Sequence, residues 1–176
     1  MVRRAQVGDT TAFRQLVETY KDVSLSLIYG IVKDRALAED ILQDGFITVY
    51  EKLDSFKFKS AFATWLYRIM ANKSYNALKR QKRNHELKQR EEPVAYSADP
   101  LEQDQQKKYI NEALAALPTD QALVLRLFYL SELSLKEVGE ATGFSKSKVK
   151  VSLHRGRIKL AEELKRIMGD ELNELL

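Results

Sequence analysis

The chain has 176 residues, 44% of them apolar, enough to bury one sizeable core or two small ones. It has no cysteine, which excludes disulfides, thiolate zinc sites and cysteine nucleophiles and fits a reducing, cytoplasmic setting. Lys and Arg number 29 against 25 Asp and Glu, a net charge of +4 that by itself is only a weak pointer to an anionic partner.

Only 7 Gly and 3 Pro occur, so long helices are favoured over a turn-rich β fold. The opening MVRRAQVGDTTAF lacks the apolar run of a signal peptide. No stretch approaches the roughly 18 apolar residues of a membrane span, so no membrane insertion is expected. The expected fold class is all-α: two small helical domains joined by a flexible linker, with a helix-turn-helix in the second.

The first expected helix starts near Asp9 or Thr10, both good N-caps, and carries Phe13, Leu16, Val17, Tyr20, Val23 and Leu27 at helical spacing. The second follows Asp34 and runs to about Leu53, with Ala38, Ile41, Leu42, Phe46, Val49 and Leu53 to one side. A short basic-aromatic loop, SFKFKS (55–60), separates it from a third helix that begins near Ala61 and ends in the basic run KRQKR (79–83). Residues 85–105 are polar, contain Pro93 and Pro100 and show no apolar stripe, which is linker composition. The expected domains are therefore 1–84 and 106–176 around a linker at 85–105. In the second, a helix over 103–117 is broken by LPTD (117–120), and QALVLRLFYL is apolar on most sides, as a central helix would be.

The stretch SLKEVGEATGFSKSKVKVSLHRGRIKL (134–160) has the pattern of a helix-turn-helix. Ser134 and Glu137 form a capping box. Gly139 stands where the two helices cross closely, and Gly143 where a left-handed conformation ends the first. Ser145 caps the second helix, whose Val149, Leu153, Gly156 and Leu160 face inward. Ser147, Lys150, Val151, His154 and Arg155 then face outward, ahead of Arg157 and Lys159. A charge run of this kind is often just a solvated face, but glycine turn, serine cap and basic outer face together predict a helix that reads the major groove. Lys150 and Arg155 are suited to guanine edges, and Arg157 and Lys159 to phosphates.

Two stripes distinguish the first domain. Asp40, Gln43, Asp44, Ile47 and Glu51 share one side of the second helix. Either Ile47 is half-buried by neighbours, the reading periodicity favours, or it is an apolar anchor in an acidic surface that docks a basic protein. On the third helix Trp65, Arg68, Asn72, Tyr75 and Lys79 are expected to share a face. Trp65 and Tyr75 could be core residues, or the interleaved rings and donors could form a surface for unstacked bases.

These segments, AEDILQDGFITVYEKLDSF, FATWLYRIMANKSYNALKRQKR and LPTDQALVLRLFYLSELSLKEVGEATGFSKSKVKVSLHRGR, resemble bacterial RNA polymerase sigma factors of the extracytoplasmic-function (ECF) group, in order and over nearly the whole chain. The resemblance implies sigma region 2 in the first domain, docking on the β′ clamp and reading the −10 element. It implies region 4 in the second, bound to the β flap and reading the −35 element. Asp40 and Gln43, with Asp44 and Ile47 on the same stripe, would dock core polymerase. The loop at 55–62 and the helix after it would capture a flipped −10 base, implicating Phe56, Lys59, Ser60, Phe62, Trp65, Arg68 and Asn72. Lys79, Arg80 and Arg83 would lie along promoter DNA. Ser147, Lys150, Val151, His154, Arg155 and Arg157 would serve the −35 element, and the helix with Leu123, Leu127 and Phe128 belongs to the flap-binding part. An anti-sigma factor is a further implied partner. The chain departs from the usual pattern at Phe58, where many members have glycine, and at Val151 and Ser152, where a serine and an arginine are frequent.

Opening DNA costs roughly 1.4 kcal/mol per base-pair step, and a base stacked on an aromatic returns about 1–3 kcal/mol. A few captured bases would nucleate melting and the polymerase would supply the rest, so weak promoter binding is expected of the chain alone. A linker of about 20 residues spans at most ~70 Å, enough for two sites about two duplex turns apart at roughly 34–36 Å per turn. The rival class is a stand-alone helix-turn-helix regulator, which would leave the acidic and aromatic stripes unused. An enzyme is disfavoured: His85 lies in the linker, His154 on the basic helix, and no metal, cofactor or triad spacing occurs.

Overall fold

A computed structural model of the protein describes residues 1–87 and 105–169; side chains are described for 1–81 and 108–169. The expected linker therefore lies almost wholly outside the described residues, as does the Arg83 side chain. Eight α-helices are described: α1 (Val2–Gln6), α2 (Thr10–Val32), α3 (Arg35–Lys52), α4 (Phe62–Leu87), α5 (Gln105–Ala116), α6 (Thr119–Leu125), α7 (Leu135–Thr142) and α8 (Lys146–Met168).

The helix starts follow from their caps. The Asp9 carboxylate accepts from the Ala12 N–H at the start of α2, and Asp34 accepts from Leu37 N–H at the start of α3. The first domain is α1–α4, with α2 packed on α3 and α4 around Leu27, Ile28, Ala38, Val49, Leu66 and Met70. α1 was not foreseen, because five residues are too few to display a helical period. α4 also runs to Leu87, three residues beyond the expected domain edge at 84.

In the second domain α6 continues into one π-helical turn, Arg126–Leu130, in which Ser131 N–H donates to the Arg126 carbonyl at 3.2 Å. The wider turn directs Leu127 inward while Tyr129 and Leu130 are exposed. The helix-turn-helix forms as its sequence requires. Ser134 and Glu137 cap α7 reciprocally, and Gly143 takes φ +74 at its end. Ser145 accepts from Lys148 N–H at the start of α8. A Cβ on Gly139 would stand 3.2 Å from the Phe144 carbonyl oxygen, so the close approach is to the turn itself.

The two domains pack on one another through one continuous apolar core, α4 against α7 and α2 against α6. Leu123 and Leu127, expected in the flap-binding part, are buried there, with Phe128 half-buried. Arg126 is only 2% accessible. Its Nε donates to Ser26 Oγ at 2.9 Å, and its guanidinium lies so close to α2 that a Cβ on Gly30 would be 2.9 Å from Nη1. Lys33 Nζ donates to the Ala115 carbonyl at 2.8 Å, and Thr64 Oγ1 to Glu137 Oε1 at 3.4 Å.

Candidate nucleic-acid and polymerase interface

Three exposed surfaces carry the residues singled out in the sequence. On α3, Asp40, Gln43, Asp44 and Ile47 are all exposed. Ile47 is 56% accessible: its neighbours cover somewhat under half of it and leave an apolar surface open among the acids. Tyr50, 51% accessible, extends the apolar part of this acidic face. An exposed isoleucine and tyrosine among carboxylates hold apolar area in water, which a basic partner with an apolar seat would relieve.

On α4, Arg68, Asn72, Lys79 and Arg80 are exposed and Trp65 is half-buried beside them. Tyr75 does not share this face. It lies at the border of the stripe covered by the second domain, and its hydroxyl donates to Asp120 Oδ1 at 3.4 Å. Burial, with Asp120 beside it, raises the Tyr75 pKa above the ordinary phenol range. The covered stripe is Thr64, Tyr67 and Ala71, all buried. Periodicity alone could not tell these two adjacent stripes apart, because Tyr75 is compatible with either.

Ahead of α4 lies the loop. Leu53–Ser55 form a 3-10 turn, and Phe56 is buried against Trp65, Phe62 and Phe58, with ring centroids 5.1, 5.8 and 4.8 Å away. Phe62 also packs on Trp65 at 5.8 Å and on Tyr20 at 5.5 Å. Phe56 and Phe62, implicated in base capture by resemblance, are thus the floor of the loop and offer no free ring face. The exposed groups above that floor are Lys57, Phe58 and Lys59, with Ser60 partly covered. Phe58 has φ +54, the left-handed region that costs a non-glycine residue roughly 1–2 kcal/mol. Glycine, the residue the family resemblance suggests at this position, would carry no such cost. Here the Arg3 guanidinium, 4.9 Å from the Phe58 centroid, and the Phe56 ring hold the strained residue. Arg3 and Gln6 were missed in the sequence, since neither carries a periodic or motif signal.

On α8, Ser147, Lys150, Val151, His154, Arg155 and Arg157 are all exposed, while Val149, Ser152, Leu153 and Gly156 face inward. Lys148 is engaged within the domain, 2.7 Å from Asp120 and 3.7 Å above the Phe144 ring. The Arg157 guanidinium lies 5.8 Å from the Phe128 centroid and 5.5 Å from that of Tyr129, which narrows its reach as a phosphate contact. Among the described residues, no group of three or more His, Cys, Asp or Glu could hold a metal ion, and no helix is long and apolar enough to cross a membrane.

Comparison with known proteins gives this arrangement its family. Residues 16–84 match the family model "Sigma-70 region 2" and residues 107–160 match "Sigma-70, region 4". The chain is 32% identical over 177 residues to the ECF RNA polymerase sigma factor SigW of Bacillus subtilis, covering 93% of this chain and 95% of that one. It belongs to the ECF sigma factors. It is 29% identical to the RNA polymerase sigma-H factor of Pseudomonas aeruginosa over 97% of this chain and 95% of that protein. The fold also matches the Bartonella quintana sigma factor RpoE in its co-crystal with the anti-sigma factor NepR, with TM-score 0.70, 23% identity and coverage of 88% and 97%. CnrH, solved with the cytosolic domain of CnrY, gives TM-score 0.64 at 23% identity over 94% and 95%. The chain is thus a sigma factor that directs RNA polymerase to promoters, and the reading as a stand-alone regulator is not favoured.

Proposed function

We propose that the three exposed faces divide the work of initiation. The acidic α3 face, with Asp40, Gln43, Asp44 and Ile47, docks core polymerase on its β′ clamp. Its charge repels DNA and suits a basic protein surface. The loop and α4 engage the −10 element: Lys59, Ser60 and Trp65 receive an unstacked base, and Arg68, Asn72, Lys79, Arg80 and Arg83 follow the backbone, with Phe56 and Phe62 as the support beneath. Ser147, Lys150, Val151, His154 and Arg155 read the −35 element in the major groove, and Arg157 adds a phosphate contact. On this reading 1–84 acts as region 2, 85–105 as the linker and 106–176 as region 4, whose contact on polymerase is the β flap.

The observation that carries this reading is the separation of charge: an apolar-anchored acidic face on α3, and a cationic and amide face on α4 of the same small domain. A regulator that only bound duplex DNA would have no use for the first. The chain itself supplies no catalytic group on this reading; RNA polymerase performs the chemistry, in the cytoplasm. An anti-sigma factor is the expected regulator; the RpoE of similar fold was solved in complex with one. The test is transcription from a promoter library by core polymerase mixed with this protein. Promoter-dependent transcripts sharing two elements are expected; no core binding and no such transcript would refute the reading.

A further inference from the structure

We propose that Gln6 and Arg3 are positioning residues that set the shape of the base-capture loop and thereby the base preference within the −10 element. The inference rests on the reading of residues 55–60 as the loop that captures a −10 base. The Gln6 side-chain amide donates both to the Leu53 carbonyl and to the Phe56 carbonyl, each at 2.9 Å. These bonds join residues 47 and 50 positions apart, so they tie the first helix of the chain to the start of the loop. The Leu53 carbonyl also accepts from Phe56 N–H at 3.0 Å, closing the 3-10 turn. One amide thus fixes both ends of that turn, and with it the direction in which the chain leaves Phe56.

The second tie is Arg3. Its guanidinium covers the Phe58 ring at 4.9 Å, and Phe58 holds a left-handed φ of +54 with 45% of its surface exposed. Lys57, Lys59 and Ser60 are then suspended between Phe56, anchored below, and Phe62 at the start of α4. A loop of this length has its side-chain directions set by its two ends. The far end is held by the packing of α4 and the near end by Gln6 and Arg3. Both residues lie outside the 16–84 stretch that matches Sigma-70 region 2, so the contribution comes from outside the matched core of the domain.

The experiment uses holoenzyme made from core polymerase and the full chain, on a promoter library randomised at the −10 element over a fixed −35 element. Gln6→Leu keeps a comparable volume and removes both donations, while Arg3→Met removes the cation at an exposed site. Gln6→Leu is expected to redistribute −10 base preference by about tenfold, with core affinity and −35 preference within about twofold of the parent. Arg3→Met is expected to shift preference at the same position, by less. Lys59→Ala is measured alongside. If Lys59→Ala redistributes −10 preference while Gln6→Leu and Arg3→Met leave it unchanged, or reduce use of every −10 sequence equally, the positioning role is overturned and the loop reading stands. If none of the three redistributes preference, the loop reading itself fails and takes the proposal with it. Should thermal melting show Gln6→Leu unfolded, Arg3→Met decides alone.

Discussion

Replacing Ile47 by alanine isolates the docking face from the fold. Fully burying an isoleucine side chain is worth about 1.5–3 kcal/mol. Ile47 remains 56% accessible, so a partner seated on it recovers roughly half of that, about 1 kcal/mol after allowing for the Cβ that alanine retains. Since 1.4 kcal/mol is tenfold, core polymerase affinity should fall by about fivefold. Stability should hardly change, because exposed substitutions usually stay within about 0.5 kcal/mol. The assay pairs a titration of labelled core polymerase with a thermal melt of the free protein. Ile47→Glu separates the two contributions of the face: added negative charge would tighten a purely electrostatic contact, whereas an apolar seat would reject it by more than alanine. Affinity for core within twofold of the parent in both variants would refute the docking assignment. A melting temperature lowered by several degrees would instead show that Ile47 belongs to the core.

The remaining predictions bear on separate parts of the molecule. Ser134→Ala removes the α7 cap and should cost about 1 kcal/mol in a denaturant titration, with loss below ~0.5 kcal/mol counting against the capping box. The Ser134 hydroxyl and backbone N–H hold the Glu137 carboxyl below its ordinary value of 4.5. Its stabilisation is therefore full above that value and lost as pH falls through the lower folded-state one, so the gap between parent and Ser134→Ala should narrow only in acid. Arg155→Ala should relax −35 preference at one position by roughly 1–3 kcal/mol of discrimination, read by competition binding or transcription; an unaltered preference argues against base reading. Gly30→Val would drive side-chain atoms into the buried Arg126 guanidinium, already 2.9 Å from a Cβ there, an overpacking of about 1–3 kcal/mol. It should loosen the domain contact and raise the radius of gyration in X-ray scattering, and an unchanged radius would contradict that role of Gly30.

The helix-turn-helix was legible because each of its signals is local. A cap, a left-handed glycine and a 3.6-residue stripe are all decided within a few residues. The same holds for α2 and α3, whose aspartate caps stand where the sequence put them. What was not legible depends on contacts between distant residues. Tyr75 fits the α4 nucleic-acid stripe by spacing, yet it faces Asp120 of the other domain. Ile47 reads as half-buried by period, and only the packing shows that more than half of it stays open to a partner. Phe56 and Phe62 could be named from the family pattern, but only the packing of the Trp65 ring on both shows that they support the loop from below. Arg126 interrupts an apolar helix, and its partner surface, Ser26 and Gly30, lies a hundred residues earlier. Gln6 is the extreme case: a single glutamine outside any motif, whose whole effect is two bonds to carbonyls some fifty residues away.

The domain contact bears on how these surfaces are used together. Its direct polar contacts run through Ser26, Lys33, Thr64, Tyr75, Asp120, Arg126 and Glu137, none of them assigned to polymerase or DNA, while Leu123 and Leu127 of the expected flap-binding helix are buried in its apolar part. The α3 face, the α4 stripe and the outward side of α8 all stay exposed while the domains are packed. Closure therefore leaves the α3 docking face and the two DNA faces free and fixes the distance between them, while it covers Leu123 and Leu127 of the expected flap-binding helix. A partner that needs a different spacing must offset the contact energy out of its own binding, which lowers its apparent affinity in proportion to the packed population. Two of the direct polar contacts across the interface, Thr64–Glu137 and Tyr75–Asp120, are long at 3.4 Å, and Lys33 meets only a backbone carbonyl. Each has one charged partner, a kind of bond that contributes about 1.5–3 kcal/mol at good geometry and less at 3.4 Å. Most of the resistance to separation thus resides in the apolar core and in Arg126. A substitution at Gly30 should accordingly move the spacing between the faces more than any change at the rim.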